Sequence, residues 1–174
     1  MIVLITGGSA SGKSEYGENL AVKLSKAEKK TYIATMYPYG DETLQKIQRH
    51  KEMRKGKGFE TLECFCGLKN IDTNNSTVLL ECMSNLLANE LYREEGAKDK
   101  ALEEIMTGIQ KLGKETVNLI IISNEVFGDI TASNSEMLEY IRLLGRINLE
   151  IGKMADVICE VVYSIPIFHK GVIK

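Results

Sequence analysis

The residues Gly7-Gly8-Ser9-Ala10-Ser11-Gly12-Lys13-Ser14 fit the pattern G-x-x-x-x-G-K-[ST] in full. Glycines let such a loop curl until several backbone N–H groups point inward at phosphate oxygens. A helix opening near Ser14 adds its positive end to the same anion site. Lys13 can reach the β- and γ-phosphates of a nucleoside triphosphate, and the Ser14 hydroxyl can ligate Mg²⁺. The context agrees, because the loop follows the apolar run Ile2-Val3-Leu4-Ile5 and precedes a helical stretch from Ser14 to about Glu28. Strand, phosphate loop and helix in that order predict an α/β fold whose strand ends hold the ligand.

The rest of the chain repeats this alternation. Apolar runs at Thr31–Ala34, Phe59–Cys64, Thr77–Leu80, Val117–Ser123 and Val157–Val162 read as strands, with a strand-like tail after the last. Helical patterns cover Asp41–Arg54, Met83–Glu94, Asp99–Lys111 and Ser135–Met154, with Asp41 and Ser135 as N-caps. In the first of these, Leu44, Ile47 and Lys51 fall near one face. Continuous apolar strands alternating with helices predict a mostly parallel sheet flanked by helices on both faces. The 174 residues, 44% of them hydrophobic, suit a single domain over residues 1–174.

Composition excludes some classes of partner and place. No apolar run approaches the ~20 residues of a membrane helix. The N-terminus reads straight into a strand, without a basic start or cleavage site, which predicts a chain that is not secreted. A net charge of −2 argues against an electrostatically driven nucleic-acid binder. The four cysteines (Cys64, Cys66, Cys82, Cys159) form no C-x-x-C pair and predict reduced, buried thiols in a cytoplasmic protein.

Two further positions bear on chemistry. Val78-Leu79-Leu80-Glu81 ends a strand on a carboxylate, placed to hold Mg²⁺ through water or to act on the substrate. A solvent-facing acid would give the same pattern. His50 lies among Arg49, Lys51 and Arg54. That setting suits a solvated helix residue, and it equally suits a neutral imidazole attacking phosphorus beside charges that disfavour imidazolium. His169 lacks such surroundings and reads as structural or surface.

With these residues in view, the chain resembles the bifunctional adenosylcobinamide kinase/adenosylcobinamide-phosphate guanylyltransferase family of cobalamin biosynthesis. The resemblance is carried by Ile5-Thr6-Gly7-Gly8 with Ser11-Gly12-Lys13-Ser14, then Tyr32-Ile33-Ala34-Thr35. Asp41-Glu42, Ile47-Gln48-Arg49-His50-Lys51, Thr61-Leu62-Glu63-Cys64 and Leu79-Leu80-Glu81-Cys82 follow. Asn89, Asn124-Glu125-Val126, Gly145-Arg146-Ile147-Asn148 and Ala155-Asp156 complete it.

The resemblance implies a P-loop nucleoside-triphosphate-binding fold, a guanylylated histidine at His50, and phosphate handling by Lys13. The implied nucleotide site comprises Gly7, Gly8, Ser9, Ala10, Ser11, Gly12, Lys13, Ser14, Ala34, Thr35, Met36, Lys51, Glu52, Met53, Arg54, Glu63 and Glu81, with Mg²⁺ on Ser14 and Glu81. The implied reactions are phosphorylation of adenosylcobinamide by ATP or GTP, then GMP transfer from GTP to the phosphorylated product. The implied partners are a corrinoid, a nucleoside triphosphate and copies of the chain in a homo-oligomer, a trimer by resemblance. The chain departs from the family at Ala10, where Arg is usual, at Phe127-Gly128-Asp129-Ile130-Thr131-Ala132, at Ser135 and Leu138, at Leu149 and at Ser164. A P-loop small-molecule kinase without guanylyltransferase activity, or a GTP-binding protein with a degenerate acceptor site, is the alternative reading.

Overall fold

A computed structural model describes residues 1–26, 28–73, 76–125 and 135–173. Its strands are β1 (Ile2–Thr6), β2 (Lys30–Ala34), β3 (Phe59–Glu63), β4 (Thr77–Glu81), β5 (Asn118–Ile122), β6 (Val157–Val162) and β7 (Ile165–Lys170). Its helices are α1 (Lys13–Ser25), α2 (Gly40–Arg54), α3 (Met83–Tyr92), α4 (Ala101–Glu115) and α5 (Ser135–Met154). The strands form one sheet in the order β3-β2-β4-β5-β1-β6-β7, parallel throughout except for β7, which pairs antiparallel to β6.

Side-chain alternation divides the core in two. Leu4, Ile33, Val78, Leu80, Leu119 and Ile121 point to the face covered by α3, α4 and α5, where they meet Leu86, Ile105, Ile109, Leu144 and Ile147. Val3, Ile5, Tyr32, Leu79, Ile120 and Ile122 point to the other face, beneath Leu20 and Ala21 of α1. Both faces are thus covered, as the continuous apolar strands predict. The central strands β4 and β5 are buried along their whole length. No helix among the described residues is long and apolar enough to cross a membrane.

Helix α2 is different. Its sequence offers little to a core, and Arg54 is its only buried residue. Asp41 does not cap it: the N-cap position is Tyr39, without a side-chain cap, and Asp41 lies in the first turn, where its charge still favours the positive helix end. Gly40 at φ 73 starts the helix two residues earlier than the capping pattern predicts. Ser135 is the first helical residue of α5, and what precedes it lies outside the described residues, as does the divergent segment Phe127–Ala132. Three of the four free thiols are buried as expected, whereas Cys66 is half-buried.

The β6–β7 turn reaches across to the phosphate loop. Tyr163 and Ser164 both adopt positive φ, at 49° and 64°, and the Ser164 N–H donates to the Ser11 carbonyl at 2.8 Å. Gly12, at φ 91, lies against this turn: a Cβ there would be 2.5 Å from Ser164 Oγ and 3.1 Å from Ser164 Cα. A Cβ on Gly8 would meet nothing within 4 Å. Gly12→Ala is therefore expected to destabilise the fold by about 1–3 kcal/mol through strain and crowding. At roughly 2–4 °C per kcal/mol for a domain of this size, thermal melting resolves that loss. Gly8→Ala is expected to melt with the wild type, and equal losses in the two variants would contradict this account.

Candidate functional site

The phosphate loop leaves β1 and turns directly into α1, whose first residue is Lys13. The Lys13 ammonium donates to the Gly8 carbonyl at 2.8 Å across the loop's mouth. Burial pushes its pKa below the ordinary lysine value, opposed by the nearby Cys82 and Glu81. A cation held partly dehydrated in this way gains strongly from an incoming polyanion.

Ser14, one residue into α1, donates its hydroxyl to Glu81 Oε1. Glu81 ends β4, is 8% exposed, and receives the Tyr32 hydroxyl on Oε2 at 3.0 Å. Burial next to this carboxylate raises the Tyr32 pKa, which keeps the phenol a donor. His50, on the inner edge of α2, directs Nδ1 at Glu81 Oε1 from 3.6 Å. That is an electrostatic approach, too long for a hydrogen bond. Glu18, fully buried on α1, completes the group, with ligand atoms of Glu18, His50 and Glu81 all within 4.8 Å of one another.

Polar atoms left without partners cluster here. Of the five buried side-chain atoms without a hydrogen bond among the described residues, four belong to the phosphate loop, α1 and α2 (Ser11 Oγ, Glu18 Oε1, His50 Nδ1 and Arg54 Nη1), and the fifth is Thr73 Oγ1. Buried polar atoms are normally paired, so such a concentration around one loop marks a place built for a ligand. Arg54 lies with its guanidinium carbon 3.5 Å from the Tyr32 ring centroid, an orientation that fixes its fork beside the cavity. The oxygen donors Ser14 and Glu81, already in contact, are the hard ligand set that suits Mg²⁺.

Beneath α2 lies a cavity of about 260 Å³ bounded by Tyr32, Ala34, Met36, Leu44, Ile47, His50, Lys51, Arg54, Glu63 and Glu81. The helix face anticipated at Leu44, Ile47 and Lys51 is the one that lines it. Other positions from the sequence fall elsewhere. Thr35 is fully buried and its hydroxyl engages the backbone of Glu81 and Cys82, so it fixes the end of β4. Glu52 is exposed and accepts from Gln48, and neither it nor Met53 lines the cavity. Ala10 is exposed at φ 57, where its methyl offers no phosphate contact. His169 pairs with Glu160 at 2.9 Å on β7, away from this group.

Sequence reasoning missed Glu18 and Tyr32 as members of the site. Glu18 carried a usable signal: it sits four residues after Ser14, hence on the same face of α1. Its carboxylate Oε2 accepts from Lys57 Nζ at 2.8 Å. Burial nevertheless pushes the Glu18 carboxyl above the usual value of 4.5, and Lys57 offsets this only in part. A carboxyl with a raised folded pKa stabilises the fold while protonated and loses that contribution as pH rises through the raised value. Glu18→Gln is therefore expected to gain stability relative to wild type between pH 4.5 and pH 8, read from urea unfolding at both. A difference that stays constant or moves the other way would contradict the assigned burial cost.

Comparison with known proteins shows the family to which the chain belongs. A family model described as cobinamide kinase / cobinamide phosphate guanyltransferase matches residues 3–168. Two relatives, from Salmonella typhimurium and Escherichia coli, are each named bifunctional adenosylcobalamin biosynthesis protein CobU. Each is 29% identical over 180 residues, covering 95% of this chain and 97% of the relative. Among solved structures, the ATPase domain of G40P superposes with a TM-score of 0.54 at 12% identity, over 91% of this chain and 68% of that one. The KaiC-like protein PH0186 from Pyrococcus horikoshii gives 0.54 at 13% identity, over 91% and 69%. These two share the α/β fold alone, whereas the family match spans the strands, the phosphate loop, His50 and Glu81 together: the chain belongs to the cobinamide kinase / cobinamide phosphate guanyltransferase family.

Proposed function

We propose that one nucleotide site carries both family activities in this chain. The enzyme phosphorylates adenosylcobinamide with ATP or GTP, then transfers GMP from GTP to adenosylcobinamide phosphate through a guanylyl-histidine at His50, giving adenosylcobinamide-GDP. The observation that carries this reading is the meeting of His50 and the phosphate loop at one carboxylate: Glu81 takes the Ser14 hydroxyl and faces His50 Nδ1 at 3.6 Å. A kinase without transferase activity would have no use for an imidazole turned into that loop.

In the kinase step, the corrinoid hydroxyl attacks the γ-phosphorus while Lys13 and the loop N–H groups neutralise charge on the leaving nucleoside diphosphate. Mg²⁺, held by Ser14 and Glu81, would add charge neutralisation at the phosphates. In the transferase step, Nδ1 of His50 faces Glu81 at 3.6 Å, which leaves Nε2 as the attacking atom. Nε2 forms a bond to the α-phosphorus of GTP, the bond to the bridging oxygen breaks, and pyrophosphate leaves within the phosphate loop. The Glu81 carboxylate facing Nδ1 stabilises the positive charge that the ring acquires. A phosphate oxygen of the acceptor then displaces the histidine, and the imidazole is restored.

The cavity under α2 suits the base. Tyr32, Met36, Leu44 and Ile47 supply apolar surface, and Glu63 at its rim can accept the N1–H and N2–H of guanine, which adenine lacks. Triphosphate substrates and unpaired thiols support a cytoplasmic setting. The apolar edge of β7, with Ile165, Ile167 and Phe168 exposed, supports self-association in the trimer implied by family resemblance.

Incubation with α-labelled GTP in the absence of corrinoid is expected to give an acid-labile, base-stable protein label. His50→Ala should abolish that label while retaining γ-phosphate transfer to adenosylcobinamide. Lys13→Ala should lower both activities by about 100-fold or more. Labelling that survives in His50→Ala would remove the histidine from the mechanism.

A further inference from the structure

A second cavity of about 650 Å³ opens on the outer side of the β2–α2 connection. Met36 and Asn85 line both this cavity and the one containing His50, so the two spaces share a wall. Of the seven tyrosines in the chain, four are exposed, and three of those four (Tyr37, Tyr39 and Tyr92) line this cavity. Tyr39 is 82% exposed and Tyr92 58%, an uncommon price for large rings unless something covers them.

The wall is stiff and chemically mixed. Tyr37 packs edge-on against Phe65, with ring centroids 5.1 Å apart, and the Arg93 guanidinium lies 3.6 Å from the Tyr37 centroid on its other contact. Asn89 is oriented by its donation to the Thr35 carbonyl at 2.8 Å, and Asn85 stands beside it one helical turn earlier. Aromatic rings and side-chain amides therefore line the same opening. Nothing in the nucleotide chemistry described above uses them.

We propose that this tyrosine-rimmed cavity is the acceptor subsite, which receives the corrinoid macrocycle in both reactions. The inference rests on the family activity and adds where its second substrate lies. A corrinoid presents a wide apolar ring face and a periphery of carboxamides. Tyrosine rings cover the first, and asparagine amides pair with the second. The cavity lies within the range of small-molecule sites and admits part of the ring. Its common wall with the His50 cavity lets the reacting arm pass Met36 and Asn85 to the phosphates. One subsite serves both steps because the hydroxyl phosphorylated in the first carries the phosphate guanylylated in the second.

The test uses Tyr39→Ala and Tyr92→Ala in the full chain. Each is expected to raise the KM for adenosylcobinamide in the kinase reaction about tenfold, with kcat within about twofold of wild type. Labelling of the protein by α-labelled GTP, which needs no corrinoid, should proceed at the wild-type rate and shows that the variants are folded. Tyr39→Phe, which keeps the ring, should restore the KM. An unchanged KM for the corrinoid in both alanine variants overturns the subsite. So does a changed sedimentation coefficient together with a raised KM for GTP, which would assign the tyrosines to a contact between subunits. A wild-type protein that neither phosphorylates adenosylcobinamide nor takes label overturns the family activity instead, and the two failures are thereby told apart.

Discussion

The Glu81 carboxylate is buried at the end of a central strand, and a buried charge of that kind survives only where neighbours supply hydrogen bonds or opposite charge. The structure meets this demand from four directions. Ser14 comes from the phosphate loop's helix, Tyr32 from the adjacent strand, His50 from α2, and Lys13 contributes charge from across the loop. Behind it, Thr35 holds the Glu81 carbonyl and is itself held by Asn89. Satisfying one carboxylate thus fixes the relative positions of β2, β4, α1 and α2, and these are the elements that carry the chemistry.

Helix α2 owes its place to that arrangement. It has too few apolar residues to join either core, and Arg54 alone is buried. Its inner edge instead roofs a cavity with Leu44, Ile47, His50 and Lys51, while Lys46 and Thr43 border the outer one. A helix bound mainly through a ligand site is stabilised when the ligand arrives, because binding to the folded form alone adds to stability. The weak core contribution of α2 and its position between two cavities are therefore linked: the same polar composition serves both.

Much of this was legible in the sequence, for reasons that differ by element. β1, β4 and β5 are short continuous apolar runs buried on both faces, and their pattern has no competing explanation once a phosphate loop follows the first. Glu81 was legible because strand-terminal acids fall at the ligand edge of a parallel sheet. Glu18 was not, since a glutamate on an amphipathic helix ordinarily faces solvent, and only the i,i+4 relation to Ser14 distinguishes it. The contribution of Ser164 to the phosphate loop was hidden for another reason: residues 11 and 164 are brought together by sheet order, which local pattern does not report. Asp41 misled because capping preference is a local tendency, and Gly40 at positive φ offers the chain another way to enter the helix.

Under the proposed mechanism, two reactions at different phosphorus atoms share this site because the loop holds the same part of the nucleotide in each. The proposed mechanism puts the β- and γ-phosphates on the loop, the γ-phosphorus toward the acceptor hydroxyl and the α-phosphorus toward His50. Direct attack of one phosphate on another would bring two anions together with little room for compensating charge. Interposing a neutral imidazole removes that repulsion from the first displacement, and pyrophosphate departs from the groups that already bind it. The second displacement proposed then meets a single phosphoryl group on a histidine whose other nitrogen faces the Glu81 carboxylate. Under that proposal Glu81 links the two chemistries, since it takes the Ser14 hydroxyl of the phosphate loop and faces the His50 ring at 3.6 Å.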